Sequence, residues 1–112
     1  MKLKFGVPCS KIKDRIKDVD IHCTSEEQAF AIACGCILAG EEPEVYCQNS
    51  GLARSIDILT SLYLPYDIPY PKLLLSLRHY PYHHSFIGDL TWHILKMLHY
   101  ENVEVVEQNE EN

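Results

Sequence analysis

The sequence predicts a doubly wound α/β fold, a mainly parallel sheet with helices on both faces. Short apolar segments alternate along the chain with segments of helical periodicity. Strands that alternate with helices form parallel sheets joined by right-handed crossovers. With 112 residues, 46% of them hydrophobic, the chain has room for one compact domain, which we assign to residues 1–106. The polar segment 107–112 is expected to be a frayed tail.

The strands and helices are predicted from hydrophobic periodicity and from capping and helix-breaking residues. The first strand is predicted over Leu3–Pro8, the first helix over Ser10–Lys17 with Ser10 as its cap, and the second strand over Val19–Cys23. The later helices are predicted over Ser25–Ala39, Ser55–Tyr63 and Phe86–Tyr100, and the later strands over Glu44–Gln48, Lys72–Ser76 and Val103–Val106.

The second predicted helix is unusual because it is apolar on almost every side. Thr24 and Ser25 can cap its first turn, with Glu27 or Gln28 reaching back as the other half of a capping box. Gly40 is placed to be the left-handed residue that ends it. We expect this helix to be buried on more than one side, and its Ala, Gly and Cys residues suit the close approach of another backbone.

The last predicted helix carries a clear apolar stripe. Its members recur at helical spacing and are expected to face the core. They are Ile87, Leu90, Ile94, Met97 and Leu98.

Composition excludes several classes of function. A formal net charge of −6 argues against a nucleic-acid partner, which would need a basic stripe. The longest apolar run, Ala29–Gly40, is too short to cross a bilayer, and no signal-peptide pattern opens the chain. We therefore expect a soluble, cytoplasmic protein without a membrane partner. The five cysteines form no Cys-x-x-Cys pair, so reduced thiols and no metal site are expected.

Polar residues gather in the loops that follow the predicted strands, where ligands bind in open α/β sheets. Glu26 and Glu27 lie at a helix entrance, where a carboxylate is favoured by the helix dipole alone. A carboxylate held in dry surroundings is also a candidate for proton transfer, and the local pattern leaves both interpretations open. Arg78 is either a ligand contact or a solvated cation after a strand.

The segment Gln48-Asn49-Ser50-Gly51-Leu52 joins a predicted strand to a helix. Gly51 can allow a tight turn there, with its neighbours presenting amides at a helix start. An ordinary capping turn fits the same residues. The order of this segment and the earlier ones is more specific than any one of them.

That order resembles a known family. The segments that carry the resemblance are Gly6-Val7-Pro8-Cys9-Ser10, Ser25-Glu26-Glu27, Leu38-Ala39-Gly40, Gln48-Asn49-Ser50-Gly51-Leu52, Leu59-Thr60-Ser61-Leu62, Tyr66-Asp67-Ile68-Pro69, and Arg78 with His84 and Gly88. Together they resemble the pyrimidine-binding domain of thiamine diphosphate enzymes. The likeness is strongest to the family of the sulfopyruvate decarboxylase alpha subunit and phosphonopyruvate decarboxylase, and it runs from Gly6 to about Leu98.

The resemblance implies roles for particular residues. Glu26 would be the catalytic glutamate, which hydrogen-bonds the cofactor's aminopyrimidine and promotes proton removal from the thiazolium carbon. The residues implied to bind the cofactor are Glu26, Gln48, Asn49, Ser50, Gly51 and Leu52, and those implied to contact the substrate are Cys9, Ser10, Arg78 and His84.

The resemblance also implies a partner. The chain lacks the Gly-Asp-Gly context that holds Mg²⁺ and diphosphate in this family, so a diphosphate-binding beta-type subunit is expected to supply it in a hetero-oligomer. The implied reaction is decarboxylation of a small 2-oxo acid, sulfopyruvate in coenzyme M biosynthesis, with phosphonopyruvate as the alternative. A non-catalytic binding or regulatory paralogue is the rival from another class. Ala53-Arg54, which replaces the family's usual Gly-Asn, and the short segment before the first strand favour it.

Overall fold

The computed structural model describes residues 3–6, 21–80 and 82–107. Five strands form one sheet in which every neighbouring pair is parallel. In chain order the elements are β1 Lys4–Gly6, β2 Ile21–His22, α1 Glu26–Leu38, β3 Glu44–Gln48, α2 Asn49–Arg54, α3 Ile56–Ile58, a π-helical turn Leu59–Tyr63, β4 Lys72–Leu77, a 3₁₀ turn Tyr82–His84, α4 Ser85–Leu98 and β5 Val103–Glu107.

The strand order is β2-β1-β3-β4-β5, which is a doubly wound arrangement. The chain first adds β2 on one side of β1 and then returns to add β3, β4 and β5 on the other. The order reverses between β1 and β3, so the crevice beyond their carboxyl ends is where this topology places a ligand. The predicted α/β fold class is confirmed.

The described helices pack against one face of the sheet. Phe5, Val45 and Leu73 point from three adjacent strands into a buried cluster to which α1, α2 and α4 all contribute. On the opposite face Tyr46 and Leu74 are also buried. Strand residues on both faces of the sheet are therefore buried, as near-continuous apolar strands require. The helix predicted over Ser10–Lys17 lies outside the described residues.

The start and end of α1 agree with the sequence. Ser25 Oγ accepts a hydrogen bond from the Gln28 amide at 3.2 Å, and Gln28 Oε1 accepts one from the Thr24 amide at 2.8 Å. These bonds form the predicted capping box. Gly40 has a φ of 90°, so the left-handed end of the helix is also confirmed.

The burial of α1 differs from expectation. Ala29, Phe30, Ala33 and Cys34 face the sheet, as predicted for one side. Its other side, formed by Ala31, Gly35 and Leu38, is exposed, with Leu38 72% accessible. The prediction that the helix is buried on more than one side is therefore wrong for this chain by itself, because the described residues supply only one layer beneath it.

The apolar stripe of α4 is also rotated from the predicted one. Ile94 and Leu98 are buried as expected, whereas Leu90 and Met97 are exposed. The helix instead turns Gly88 and Thr91 inward. A Cβ on Gly88 would lie 2.7 Å from the Arg78 carbonyl oxygen, so the missing side chain lets the end of β4 approach the helix closely. Backbone fit at this point outweighs the hydrophobic pattern.

Tyrosines join the elements at the amino edge of the sheet. The rings of Tyr70 and Tyr100 stack with centroids 4.2 Å apart, and Tyr63 lies 5.8 Å from Tyr70. Each hydroxyl donates to a backbone carbonyl, from Tyr63 to Phe30 at 2.6 Å, from Tyr70 to Leu98 at 2.8 Å and from Tyr100 to Pro71 at 2.6 Å. We call Tyr63, Tyr70 and Tyr100 the tyrosine cluster.

Candidate functional site

The candidate site begins with Glu26, the first residue of α1. The residue is 6% exposed and lies directly after β2, at the carboxyl edge of the sheet. Its side chain rests against Gly51 of α2. A Cβ built on Gly51 would lie 2.3 Å from Cγ and 2.6 Å from Oε2 of Glu26, far inside van der Waals contact. Only glycine at position 51 leaves this place for the carboxylate.

The role of Gly51 therefore differs from the predicted one. A tight turn was expected at this residue, yet α2 starts at Asn49 and Gly51 lies inside it. The turn prediction is wrong because the chain enters the helix directly from β3. The glycine allows close approach of a side chain, not an unusual backbone angle.

Arg54 completes the surroundings of Glu26. Its Nη1 lies 3.9 Å from Glu26 Oε1, so the buried carboxylate is paired with a cation. Arg54 comes one helical turn after Gly51, at the i, i+3 spacing that puts both on the same face of α2. Sequence reasoning missed this contact because it started the helix at Ser55 instead of Asn49.

Gln48, Ser50 and Arg78 form a second group of polar side chains at the same edge. Gln48 Nε2 donates to Ser50 Oγ at 2.7 Å, and Arg78 Nη1 donates to Gln48 Oε1 at 3.5 Å. The other terminal nitrogen of Arg78 donates to the carbonyl of Tyr80 at 3.3 Å. These contacts direct the guanidinium along the edge, over the end of β3.

Asn49 connects three elements below this surface. It is 1% exposed. Its Oδ1 accepts from the Arg78 amide at 3.2 Å, and its Nδ2 donates to the Arg78 carbonyl at 3.0 Å and to Thr91 Oγ1 at 3.2 Å. The Thr91 hydroxyl in turn donates to the Ile87 carbonyl at 2.6 Å. The carboxamide thus fixes the backbone of Arg78 relative to α2 and α4.

The remaining predicted site residues occupy different surroundings. Leu52 is fully buried in the core, on the side of α2 that faces the sheet. His84 lies in the 3₁₀ turn before α4, its ring 4.1 Å from that of His83. Cys9 and Ser10 lie outside the described residues. The structure thus brings Glu26, Gln48, Ser50, Gly51 and Arg78 to one edge, with Asn49 directly beneath.

The carboxyl edge of the sheet carries several kinds of hydrogen-bonding side chain. Within residues 3–6, 21–80 and 82–107, no three His, Cys, Asp or Glu side chains cluster closely enough to hold a metal ion. Glu26, Gln48 and Ser50 bring one carboxylate, one carboxamide and one hydroxyl to this edge, which therefore presents both donors and acceptors of hydrogen bonds.

No helix within the described part of the chain combines the length and apolar character that a membrane span requires.

Sequence comparison identifies related proteins. The chain is 39% identical over 80 residues to "Sulfopyruvate decarboxylase subunit alpha" of Methanocaldococcus jannaschii, an alignment covering 65% of this chain and 47% of the relative. It is 37% identical over 71 residues to the protein of the same name from Methanothermobacter thermautotrophicus, covering 57% and 43%. "Sulfopyruvate decarboxylase" of Methanosarcina acetivorans is 36% identical over 76 residues, covering 63% of this chain and 20% of the relative. No established family profile matches.

The chain spans about half the length of the first two of these relatives. Three relatives named as alpha subunits, at 34–39% identity, agree with the motif order in the sequence and with the parallel α/β sheet. The chain is thus a homologue of the sulfopyruvate decarboxylase alpha subunits.

Proposed function

We propose that the chain is the alpha-type subunit of a thiamine diphosphate-dependent 2-oxo acid decarboxylase that converts sulfopyruvate to sulfoacetaldehyde and CO₂. The observation that carries the proposal is the position of Glu26. Its carboxylate is almost fully buried at the carboxyl edge of a doubly wound sheet and lies against a glycine. A buried carboxylate costs folding energy, so its placement in a ligand-binding crevice points to use in proton transfer.

The residues of the edge have separate tasks in this proposal. When bound, thiamine diphosphate supplies the electron sink that decarboxylation needs. Glu26 holds a proton at a ring nitrogen of the aminopyrimidine, while Gln48 and Ser50 orient the ring through hydrogen bonds. Gly51 keeps the space of the carboxylate open. Asn49 and Leu52, both buried, hold the start of α2 in place beneath them.

The substrate carries two anionic groups, which require cationic or hydrogen-bonding partners. Arg78 is half-buried and fixed at its backbone by Asn49, so its guanidinium is preorganised for a carboxylate or sulfonate. We assign it to that group together with His84. Cys9 and Ser10 remain predicted contacts.

The proposal includes a beta-type partner that supplies the Mg²⁺ and diphosphate site. The exposed side of α1 is its proposed docking surface. It consists of Ala31, Gly35 and Leu38, and a Cβ added to Gly35 would meet nothing within 4 Å. A glycine in mid-helix costs about 1 kcal/mol relative to alanine, and no contact among residues 3–6, 21–80 and 82–107 explains it. Close approach of a partner backbone would explain the glycine at this position.

The test is reconstitution. The tagged chain is purified from native lysate, its co-purifying chains are identified by mass spectrometry, and the complex is assayed for sulfopyruvate decarboxylation with thiamine diphosphate and Mg²⁺. We expect a partner with a Gly-Asp-Gly motif and turnover. Phosphonopyruvate assayed in parallel decides between the two candidate substrates by kcat/KM.

Glu26→Gln then tests the assignment of the acid. Loss of a general acid or base lowers rates by about 10²–10⁴-fold, and assembly should persist because the two side chains have nearly the same shape. Glu27→Gln is the matched control, since Glu27 is the adjacent carboxylate and is exposed. Equal turnover of the Glu26→Gln variant and the native complex would exclude this role for Glu26.

A non-catalytic paralogue is the second candidate, and the ion pair of Arg54 with Glu26 favours it, because the guanidinium already engages the carboxylate that catalysis would need. A stable chain that captures no such partner and shows no response to thiamine diphosphate would support this alternative.

A further inference from the structure

We propose that Arg54 is a positioning residue that competes with the cofactor's pyrimidine for Glu26 and so weakens cofactor binding. The inference rests on the proposed function, because it assumes that Glu26 receives the aminopyrimidine. It concerns a residue that neither the motif order nor the predicted site includes.

The geometry gives Arg54 direct access to the carboxylate. Nη1 of Arg54 lies 3.9 Å from Glu26 Oε1, and within the described residues this is the polar contact made by that carboxylate. The Arg54 side chain is 69% exposed and that of Glu26 is 8% exposed, so a cation at the surface reaches a nearly buried anion. Gly51 of α2 lies against the Glu26 carboxylate. Because it has no side chain, it leaves the carboxylate in its place near Arg54.

Arg54 and a bound pyrimidine would use the same carboxyl group. A guanidinium only donates hydrogen bonds, so it engages Glu26 as an acceptor. A neutral pyrimidine nitrogen accepts, so it would need the same group as a donor. Cofactor binding that draws the group away from Arg54 therefore gives up the stabilisation that the ion pair provides.

The size of the effect follows from exposure. Pairs with one solvated partner contribute modestly, so removing the guanidinium should tighten cofactor binding by about two- to fivefold. The direction of the change in affinity distinguishes this proposal from a simple effect of charge. Thiamine diphosphate carries a net negative charge, and long-range attraction alone predicts weaker binding once a positive charge is removed.

The experiment measures the Kd of thiamine diphosphate for the reconstituted complex by titration calorimetry in the presence of Mg²⁺. Arg54→Gln should lower the Kd by about two- to fivefold, and Arg54→Lys, which keeps the charge, should stay near the native value. Lys96→Gln is the control for net charge, because Lys96 is an exposed cation in the last turn of α4. Raising the ionic strength should narrow the difference between Arg54→Gln and the native complex, because salt screens exposed pairs.

Each result decides the proposal. An unchanged or higher Kd for Arg54→Gln overturns the role of Arg54 and leaves the proposed function intact. The same tightening in Lys96→Gln overturns it as well, since net charge would then be the cause. A native complex that turns over sulfopyruvate without binding thiamine diphosphate, or that does neither, overturns the proposed function and with it this inference.

Discussion

The two edges of the sheet treat their polar groups in opposite ways. At the amino edge, the three hydroxyls of the tyrosine cluster each donate to a backbone carbonyl. At the carboxyl edge, the buried carboxylate of Glu26 forms an ion pair with the exposed Arg54. The tyrosine hydroxyls are thus bonded to the backbone inside the protein, whereas the carboxylate of Glu26 meets a partner that is itself exposed to solvent.

A cavity of about 360 Å³ also lies at the amino edge, lined in part by Glu41, Glu42, Glu44 and Lys72. Lys72 and Glu44 form an ion pair across it at 3.8 Å. The cavity lies at the opposite edge of the sheet from Glu26. The carboxyl edge is the one at which this topology places a ligand.

The largest expected effect is at the carboxyl edge. Gly51→Ala would put a methyl group where Glu26 Cγ and Cδ lie, so the carboxylate must move away from its place. We expect turnover of the reconstituted complex to fall by about 100-fold, because misplacing a catalytic group by an ångström costs that much. Steady-state kinetics measures the loss of turnover, and thermal melting measures any change in stability separately. A variant with native turnover would show that the contact with Gly51 is not needed for Glu26 to act.

The amino edge should respond to alkali. Burial raises the pKa of Tyr63, Tyr70 and Tyr100, most strongly for Tyr63 and Tyr100. The unfolded chain therefore loses these protons first as the pH rises above the ordinary tyrosine pKa of about 10. The contribution of the tyrosine cluster to folding stability is therefore fully present below that pH and is lost above it. Urea unfolding at pH 8 and pH 11 should show a clear fall in the free energy of unfolding.

Tyr100→Phe provides the control for this edge. It removes the hydrogen bond to Pro71 and should cost about 1 kcal/mol of stability at pH 8. The free energy of unfolding of this variant should fall less between pH 8 and pH 11 than that of the native chain. Its turnover in the complex should stay unchanged. A native chain equally stable at both pH values would contradict the assignment of stability to the cluster.

The smallest effect concerns the exposed side of α1. Gly35→Ala should raise the stability of the chain by about 1 kcal/mol, because alanine is the better helix former and the added methyl meets no atom within 4 Å. The same substitution should weaken capture of the partner in a pull-down. Ala31→Ser is a milder control on the same side. Undiminished capture by Gly35→Ala would remove the glycine from the proposed docking surface.

The framework of this fold is readable from the sequence because local signals agree. The strand Glu44–Gln48 has the predicted bounds, and β4 and β5 extend only one residue beyond theirs. Each is a short apolar segment bounded by proline or polar residues. The capping box before α1 uses contacts only three or four residues apart, so its pattern is also visible in the sequence.

The parts that were not predictable depend on contacts distant in sequence. Asn49, Ser50 and Gly51 are poor helix formers, so the local pattern predicts a turn or a helix cap there and not the first turn of α2 itself. The helix is held by bonds from Asn49 to Arg78 and Thr91, which lie 29 and 42 residues away. The rotation of α4 has the same origin, since Gly88 and Thr91 face inward to meet those partners.

The bond pattern of Asn49 has a further consequence. Its carboxamide accepts from the amide and donates to the carbonyl of one residue, so it occupies both backbone groups of Arg78 as the backbone of a neighbouring strand would. A side chain thus extends the ladder between β3 and β4 by one position after the β3 backbone has already turned into a helix. β4 therefore continues beyond the last residue of β3. The Arg78 side chain lies partly exposed at this point, while its backbone stays hydrogen-bonded. The backbone of Arg78 is therefore held by a side chain from the β3 side, whereas its guanidinium is directed by Gln48 and by the Tyr80 carbonyl.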